Sequence, residues 1–315
     1  MDIEVVKTNQ LTQIQKEAIC NLFEQVFGIK KTYEEFIHQF ERNEFGFSYF
    51  GLIYNNEEVV GSYAVIPFRY RYFDSSVVFG QSVDTMISEK YRGNPFLLKR
   101  LAEKVYKKLK ADNINFVFGF PNDNIYLVRK KVLKWVDIYN LDIYLLPLRP
   151  SAFKSLLKPL DIFMVPALTL LNAFVKNKSE AKENFNIYKE ISPEYLKYRF
   201  TDDYKKISLF NNGYCFYKIE NFKNINTAFI VDVYPLTKRN IELAVKLLYQ
   251  SHKAIDLITY FGYLPFSPIN LFKVPEKYKP KDTFMSGKIL NNEKISEKVF
   301  NIKNWRINLS NFDWI

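Results

Sequence analysis

Arg92 and Gly93 stand between a strand-like run and a helix-like one, in the stretch EKYRGNPFLLKRL at residues 89–101. Backbone N–H groups gathered at a helix start, with the helix dipole behind them, make a site for a phosphate or pyrophosphate. Gly93 can supply a backbone angle that other residues resist, and Pro95 suits a first helical turn, where its missing N–H costs little. Lys99, Arg100 and Lys104 add positive charge behind the turn. An ordinary strand-to-helix turn with solvated lysines has the same spacing, so the loop alone leaves both readings open.

Few other residues offer chemistry. Cys20 and Cys215 are the only cysteines, far apart and each among apolar neighbours, which argues for a reducing compartment and against a disulfide framework. His38 and His252 are the only histidines. No Cys/His metal cluster assembles from these four, and no metal is expected. His38, between Ile37 and Phe40 in a helical pattern, reads as a packed structural residue. The balance of 45 Lys+Arg against 34 Asp+Glu gives a net charge of +11, which favours anionic partners without choosing among phosphates, nucleic acid and acidic membranes. Aromatic residues make up 17% of the chain but fall at core-like strand positions, so nucleic acid is not favoured. The start, MDIEVVKTNQ, carries acidic and polar residues where a secretory signal needs a basic start and an apolar run, and a cytoplasmic protein is expected.

The elements that must position the loop are legible as periodicities. Ile14, Ala18, Leu22 and Val26 recur every four residues between a Thr12 cap and a Gly28 stop. Tyr33, Phe36, Ile37 and Phe40 mark a second helix. FSYFGLIY, EVVGSYAVIPFRYRYF and VVFGQSVDTMIS then read as strands, and Leu97, Leu101, Val105 and Leu109 form the buried stripe of a helix running through Lys110. INFVFGF is a short buried strand, PNDNIYLVRKKVLKW is helical and DIYNLDIYLLPL is one further strand. The order expected is ααβββαβαβ. Residues 151–184 are strongly apolar but interrupted by Asp161, Pro166 and Asn172, which predicts broken helices packed on a domain or lying at an interface, with peripheral membrane contact through 151–175 as one use. After Glu183 the chain turns β-rich: YKKISLF, the turn Asn211-Asn212-Gly213, YCFYKIE, INTAFIVDVYPL, a helix bearing Ile241, Ala244, Val245 and Leu248, and a closing NWRINLSNFDWI.

This order, with MISEKYRGNPFLLKRLAEKV, resembles the GCN5-related N-acetyltransferase (GNAT) family, in which an Arg/Gln-x-x-Gly-x-Gly/Ala loop cradles the pyrophosphate of acyl-coenzyme A. Arg92 keeps the motif's first position, while Pro95 and Leu97 stand where the family has small residues. FGFPNDNIYLVRKKVLKW resembles a subgroup associated with polysaccharide and cell-surface glycan biosynthesis, with Lys134 at that subgroup's usual glycine. The resemblance covers residues 1 to about 148 and, more weakly, the rest of the chain.

It implies an α/β acyl-CoA N-acyltransferase-like fold with a mixed sheet, in two tandem domains: 1–148, an apolar helical connector at 149–184, and a reduced copy at 185–315 without a phosphate loop. It implies acetyl-CoA or another acyl-CoA held by Met86, Ile87, Arg92, Gly93, Asn94, Phe96, Leu97 and Asn124. Asp84 would lie near the thioester as a base, with Glu89 a second candidate. Tyr126 could donate a proton to the departing thiolate, in a register that puts Lys130 nearer the family's usual acid. Each has a plainer reading: Asp84 a hydrogen-bonded strand residue, Glu89 a solvated loop residue, Tyr126 core cover and Asn124 a helix cap. The implied reaction is acyl transfer to a small amine, an amino sugar or nucleotide-linked amino sugar being favoured. The alternatives are a catalytically degenerate scaffold and a tRNA-dependent aminoacyl transferase of cell-wall type.

Overall fold

The computed structural model describes residues 1–210, 212–222 and 224–312. Asn211 of the expected turn and the closing Asp313 to Ile315 lie outside the described residues. In chain order the elements are β1 (Asp2–Lys7), α1 (Gln13–Phe27), α2 (Tyr33–Glu41), β2 (Tyr49–Asn55), β3 (Glu58–Tyr72), β4 (Ser75–Ile87), α3 (Pro95–Ala111), β5 (Phe116–Gly119), α4 (Asp123–Lys131) and β6 (Val136–Asn140). There follow β7 (Asp142–Pro147), α5 (Lys158–Ala173), β8 (Ile187–Lys189), α6 (Pro193–Arg199), β9 (Lys205–Ser208), β10 (Tyr214–Phe222), β11 (Ile225–Tyr234), α7 (Lys238–Ser251), β12 (Leu257–Gly262), β13 (Phe272–Lys273) and β14 (Phe284–Ile289).

Two compact units result, and both are discontinuous in sequence. The first holds Met1–Asn140, Asn186–Arg199 and Thr283–Asn304; the second holds Leu141–Phe185, Phe200–Asp282 and the C-terminal segment from Trp305. The contiguous division at 148 and 184 is therefore replaced. The reason is strand pairing: β14 inserts between β5 and β6, and β8 pairs with β3, so late segments complete the first sheet. The single strand expected over residues 137–148 is two strands, β6 in the first sheet and β7 in the second. Both sheets mix parallel and antiparallel pairs, and the α/β class stands.

In the first unit the order is β1-β2-β3-β4-β5-β14-β6, antiparallel except for β4 and β5. β1 was not anticipated; it is a half-exposed edge strand whose six residues carry too little apolar pattern to announce it. On one face α3 buries Leu97, Leu101, Val105 and Leu109 against Tyr49, Ile53, Tyr63 and Val65, each fully buried aliphatic contributing about 1.5–3 kcal/mol. Gly51 allows the close approach, since a Cβ there would lie 2.5 Å from a Val105 methyl. On the other face Phe36 and Phe40 of α2 pack on Phe50. Thr12 caps α1 by accepting from the Gln15 N–H, and Gly28 ends it at φ 70°. The buried face of α1 is built on Ile19, Cys20 and Leu22, while Ile14 is 79% exposed, so the four-residue repeat chose the wrong stripe at its start.

In the second unit the order is β13-β7-β12-β11-β10-β9, and β11 and β12 form its one parallel pair among the described residues, joined through α7. This repeats the β4-α3-β5 crossover on a smaller scale. Arg306, buried, is held by Asp232 at 3.1 Å and Glu183 at 3.1 Å. Residues 158–173 form one helix, α5, that continues through Pro166, not the broken helices expected. A proline inside a helix removes one hydrogen bond and need not end it.

Candidate active site

β4 and β5 pair only at Gly80 with Val117 and Gln81 with Phe118. β5 stops at Gly119; Pro121, two residues on, has no N–H to continue a ladder, and Asn122 caps α4 by accepting from the Ile125 N–H at 3.3 Å. β4 runs on to Ile87, so from Ser82 onward no strand among the described residues pairs with its β5 side. A fork opens there, and it leads to the loop before α3. A bare strand edge presents N–H and C=O groups in a row, which is what an extended amide-bearing ligand can pair with.

The loop at the fork's outer end is tightly wound. Tyr91 N–H donates to Ser88 O at 2.8 Å, Arg92 N–H to Glu89 O at 3.2 Å and Asn94 N–H to Tyr91 O at 3.3 Å. Asn94 caps α3, its Oδ1 accepting from Phe96 N–H at 3.1 Å, and Leu97 N–H donates to Asn94 O at 3.1 Å. Pro95 occupies the first helical position as expected. These amides are thus already supplied with acceptors inside the loop. Arg92, exposed, donates from Nε to Ile87 O at 2.9 Å and ties the loop to the strand end. Gly93 does not adopt a left-handed angle; a Cβ there would meet nothing within 4 Å. Its contribution is open space, because the turn is a right-handed 3-10 one that any residue can make. Glu89 is exposed, Phe96 is 69% exposed and Leu97 is buried in the core. Behind the loop, Lys99 pairs with Glu103 and Lys104 donates to Ile3 O, a solvated helix face.

Inside the fork, β4 is bulged. Its register against β3 shifts between Ser62 and Ala64, and Asp84 sits at φ 41°, a left-handed angle that costs a non-glycine residue strain. The bulge aims Asp84 at Lys31, in the connection between α1 and α2, and the two form an ion pair with both side chains nearly buried. Lys31 also donates to Gln39 Oε1 at 2.6 Å and lies 3.9 Å from the Phe23 ring centroid. Met86, two residues further along β4, is buried, and Ile87 is half-buried.

On the opposite face, α4 brings Arg129 to the same strand. Its Nη2 donates to Ser82 Oγ at 3.0 Å and Thr85 Oγ1 at 3.2 Å, and its guanidinium lies 4.5 Å from the Trp135 ring. The indole is fixed in turn by donating to Tyr106 Oη at 2.8 Å. Tyr126 points elsewhere: its hydroxyl donates to Asp137 at 2.8 Å and accepts from Lys130 at 3.1 Å, with its ring stacked on Phe284. Burial, then the Asp137 carboxylate, raise its pKa above the usual tyrosine value. Asn124 is exposed in the first turn of α4 and is not the cap; Asn122 is. A cleft of 360 Å³ lies elsewhere, lined by Lys7, Phe47, Tyr49, Lys108 and Asp112. Both of its lysines are paired to Asp112, and it does not adjoin the fork.

Sequence reasoning missed Lys31 and Arg129. Arg129 carried a signal: it stands four residues from Ile125 and four from Leu133, on the inward stripe of α4, yet read as part of a basic run with Lys130 and Lys131.

Residues 7–129 match the family model for the acetyltransferase (GNAT) domain. No curated protein matches the chain. Among solved structures, the GCN5-related N-acetyltransferase from Anabaena variabilis superposes with a TM-score of 0.59 at 15% identity, over 92% of this chain and 73% of that one. The GCN5-related N-acetyltransferase from Kribbella flavida gives 0.63 at 12% identity, over 91% and 71%. Eis1 from Mycobacterium abscessus gives 0.59 at 11% identity, over 93% and 75%. At such identities these likenesses establish the fold alone, an acetyltransferase-like one, and the match to the GNAT domain model spans residues 7–129, less than half of the chain.

Proposed function

We propose that the protein is an acyl-CoA-dependent N-acyltransferase whose coenzyme lies along the open edge of β4. The fork between β4 and β5, running out to the start of α3, is the observation that carries this reading. The diphosphate sits at the loop, contacted by Arg92 and favoured by the α3 dipole, with Asn94 yielding its capping contact to Phe96 N–H. Gly93 leaves room for it, and Phe96 and Asn124 flank the coenzyme from the two helix starts. The pantetheine amides pair with β4 backbone around Met86 and Ile87. A backbone N–H near the bulge polarises the thioester carbonyl.

The acceptor amine attacks that carbonyl from the Lys31 face. The C–N bond forms, the C–S bond breaks, the amine's proton passes to Asp84 directly or through water, and the thiolate leaves to be protonated. Glu89, exposed on the loop, is the reserve candidate for that proton. An amino sugar is the favoured acceptor by the resemblance of the Gly-Phe-Pro-Asn turn alone. Calorimetric titration with acetyl-CoA tests the reading. Micromolar affinity, falling about tenfold in Arg92→Ala, is expected; no binding at millimolar coenzyme overturns it and favours a scaffold or a tRNA-dependent enzyme.

A second observation favours a membrane contact. Ser155–Ala173 is the one helical stretch among the described residues long and apolar enough to cross a bilayer. It exposes Ile162 (76%), Phe163 (67%) and Val165, while Lys158 lies near its start and Lys154, Lys176 and Lys178 flank it. We infer that it docks on anionic lipid, apolar side down and lysines at the headgroups. Co-flotation with phosphatidylserine vesicles, lost in Ile162→Glu with Phe163→Glu, is expected; equal flotation of the variant would sink the idea.

A further inference from the structure

Two buried arginines in this chain are treated in opposite ways. Arg306 has two carboxylates. Arg129, only 3% exposed, has none among the described residues: its contacts are the Ser82 and Thr85 hydroxyls and the face of Trp135, and its Nε and Nη1 have no hydrogen-bond partner there. Three N–H bonds, one on Nε and two on Nη1, therefore lack an acceptor. A buried cation without a counter-ion is costly, and an arriving anion would complete it.

The position of the guanidinium says which end of a ligand would meet it. A Cβ on Gly119 would lie 2.8 Å from Arg129 Nη1 and 2.7 Å from Ser82 O, so the group sits at the vertex of the fork, one residue beyond the last β4–β5 pair. The phosphate end of the coenzyme belongs at the opposite end, past Ile87. Between Ile87 and Ser82 lie five strand steps, about 16 Å of extended edge. A thioester threaded along that edge delivers its acyl chain to the vertex, and the far end of that chain to Arg129.

We propose that Arg129 receives a carboxylate at the end of the transferred acyl chain, which makes the donor the coenzyme A thioester of a dicarboxylic acid, of the malonyl or succinyl class. This rests on the reading of the fork as the coenzyme site. The transfer itself is unchanged: the carbonyl moves from sulfur to nitrogen, the amine proton goes to the base and the thiolate takes a proton, while the distal carboxylate stays ionised throughout. Trp135 holds the guanidinium plane, and Gly119, having no Cβ, lets the guanidinium sit against the strand end.

Titration of the whole chain with succinyl-CoA and butyryl-CoA, four-carbon chains that differ in the terminal charge, tests this. Succinyl-CoA should bind at least tenfold more tightly, and Arg129→Gln should bring the ratio to about one while leaving butyryl-CoA within threefold of its original affinity. Equal binding of the two thioesters to the unmodified protein overturns the proposal and leaves the coenzyme site standing. A preference that survives Arg129→Gln also overturns it, placing the receptor elsewhere. Binding of neither thioester overturns both. Tight binding of free coenzyme A that weakens in Arg129→Gln without any acyl preference overturns it in favour of a thiolate partner. Should Arg129→Gln fail to fold, the ratio in the unmodified protein and in Arg129→Lys, which keeps the charge, decides.

Discussion

Lys31 and Asp84 form a nearly buried ion pair across the bulge of β4, with the lysine further fixed by Gln39 and the Phe23 ring. The pair ties the connection between α1 and α2 to the one strongly strained residue of β4. Asp84→Asn leaves Lys31 charged and without its counter-ion, and a loss of about 3–5 kcal/mol in unfolding free energy is expected. With an amine found by acceptor screening, the same variant should lower kcat by about a hundredfold or more, as loss of a base does. The double variant Lys31→Met with Asp84→Asn should recover stability without recovering turnover. Full activity in Asp84→Asn would remove the aspartate from the chemistry.

Tyr126 spends its hydroxyl on Asp137 and Lys130, away from the fork. Tyr126→Phe is therefore expected to lower stability by about 1 kcal/mol and to leave kcat within a few-fold. A hundredfold fall in kcat at unchanged KM would instead make it the acid that protonates the thiolate.

Both histidines are held below the ordinary histidine value. Burial does most of this at His38, helped by Arg42 and Arg199, and burial followed by Lys205 does it at His252. Below about pH 6.5 the unfolded chain then binds protons that the folded chain refuses. The stability from these two groups is fully present above that pH and is lost as pH falls through their depressed folded values. Urea midpoints at pH 7.5 and 5.5 should differ less in His38→Gln with His252→Gln than in the unmodified protein; an identical difference would show that carboxylates alone set the acid limb.

Cys20 is buried, and its thiol is pushed up to about 11; Cys215, fully buried, is pushed higher still. Neither carries appreciable thiolate at pH 8. Mass spectrometry after iodoacetamide treatment should show no addition to the native protein and two additions in urea. Rapid labelling of one site in the native state would mark a reactive thiol that the burial argument misses.

The sequence by itself determined the helices that have their own caps and stripes and the strands that alternate. Thr12, Gly28, Asn122 and Pro95 act within a few residues, and Leu97 to Leu109 bury one face whatever the neighbours are, so local chemistry suffices for them. The loop before α3 was legible for the same reason, and its resemblance to a phosphate cradle pointed to the family. Tertiary structure alone decided how strands from distant segments combine. β14 lies between β5 and β6 by hydrogen bonds spanning about half the chain, which no local pattern records. It also decided the site: which edge of β4 is left bare, that Asp84 meets Lys31 over 53 residues of chain, and that Arg129 of a basic run is buried against Gly119 with no acid beside it. A side chain's charge is written in the sequence; whether that charge is answered depends on what folding brings within about 4 Å of it.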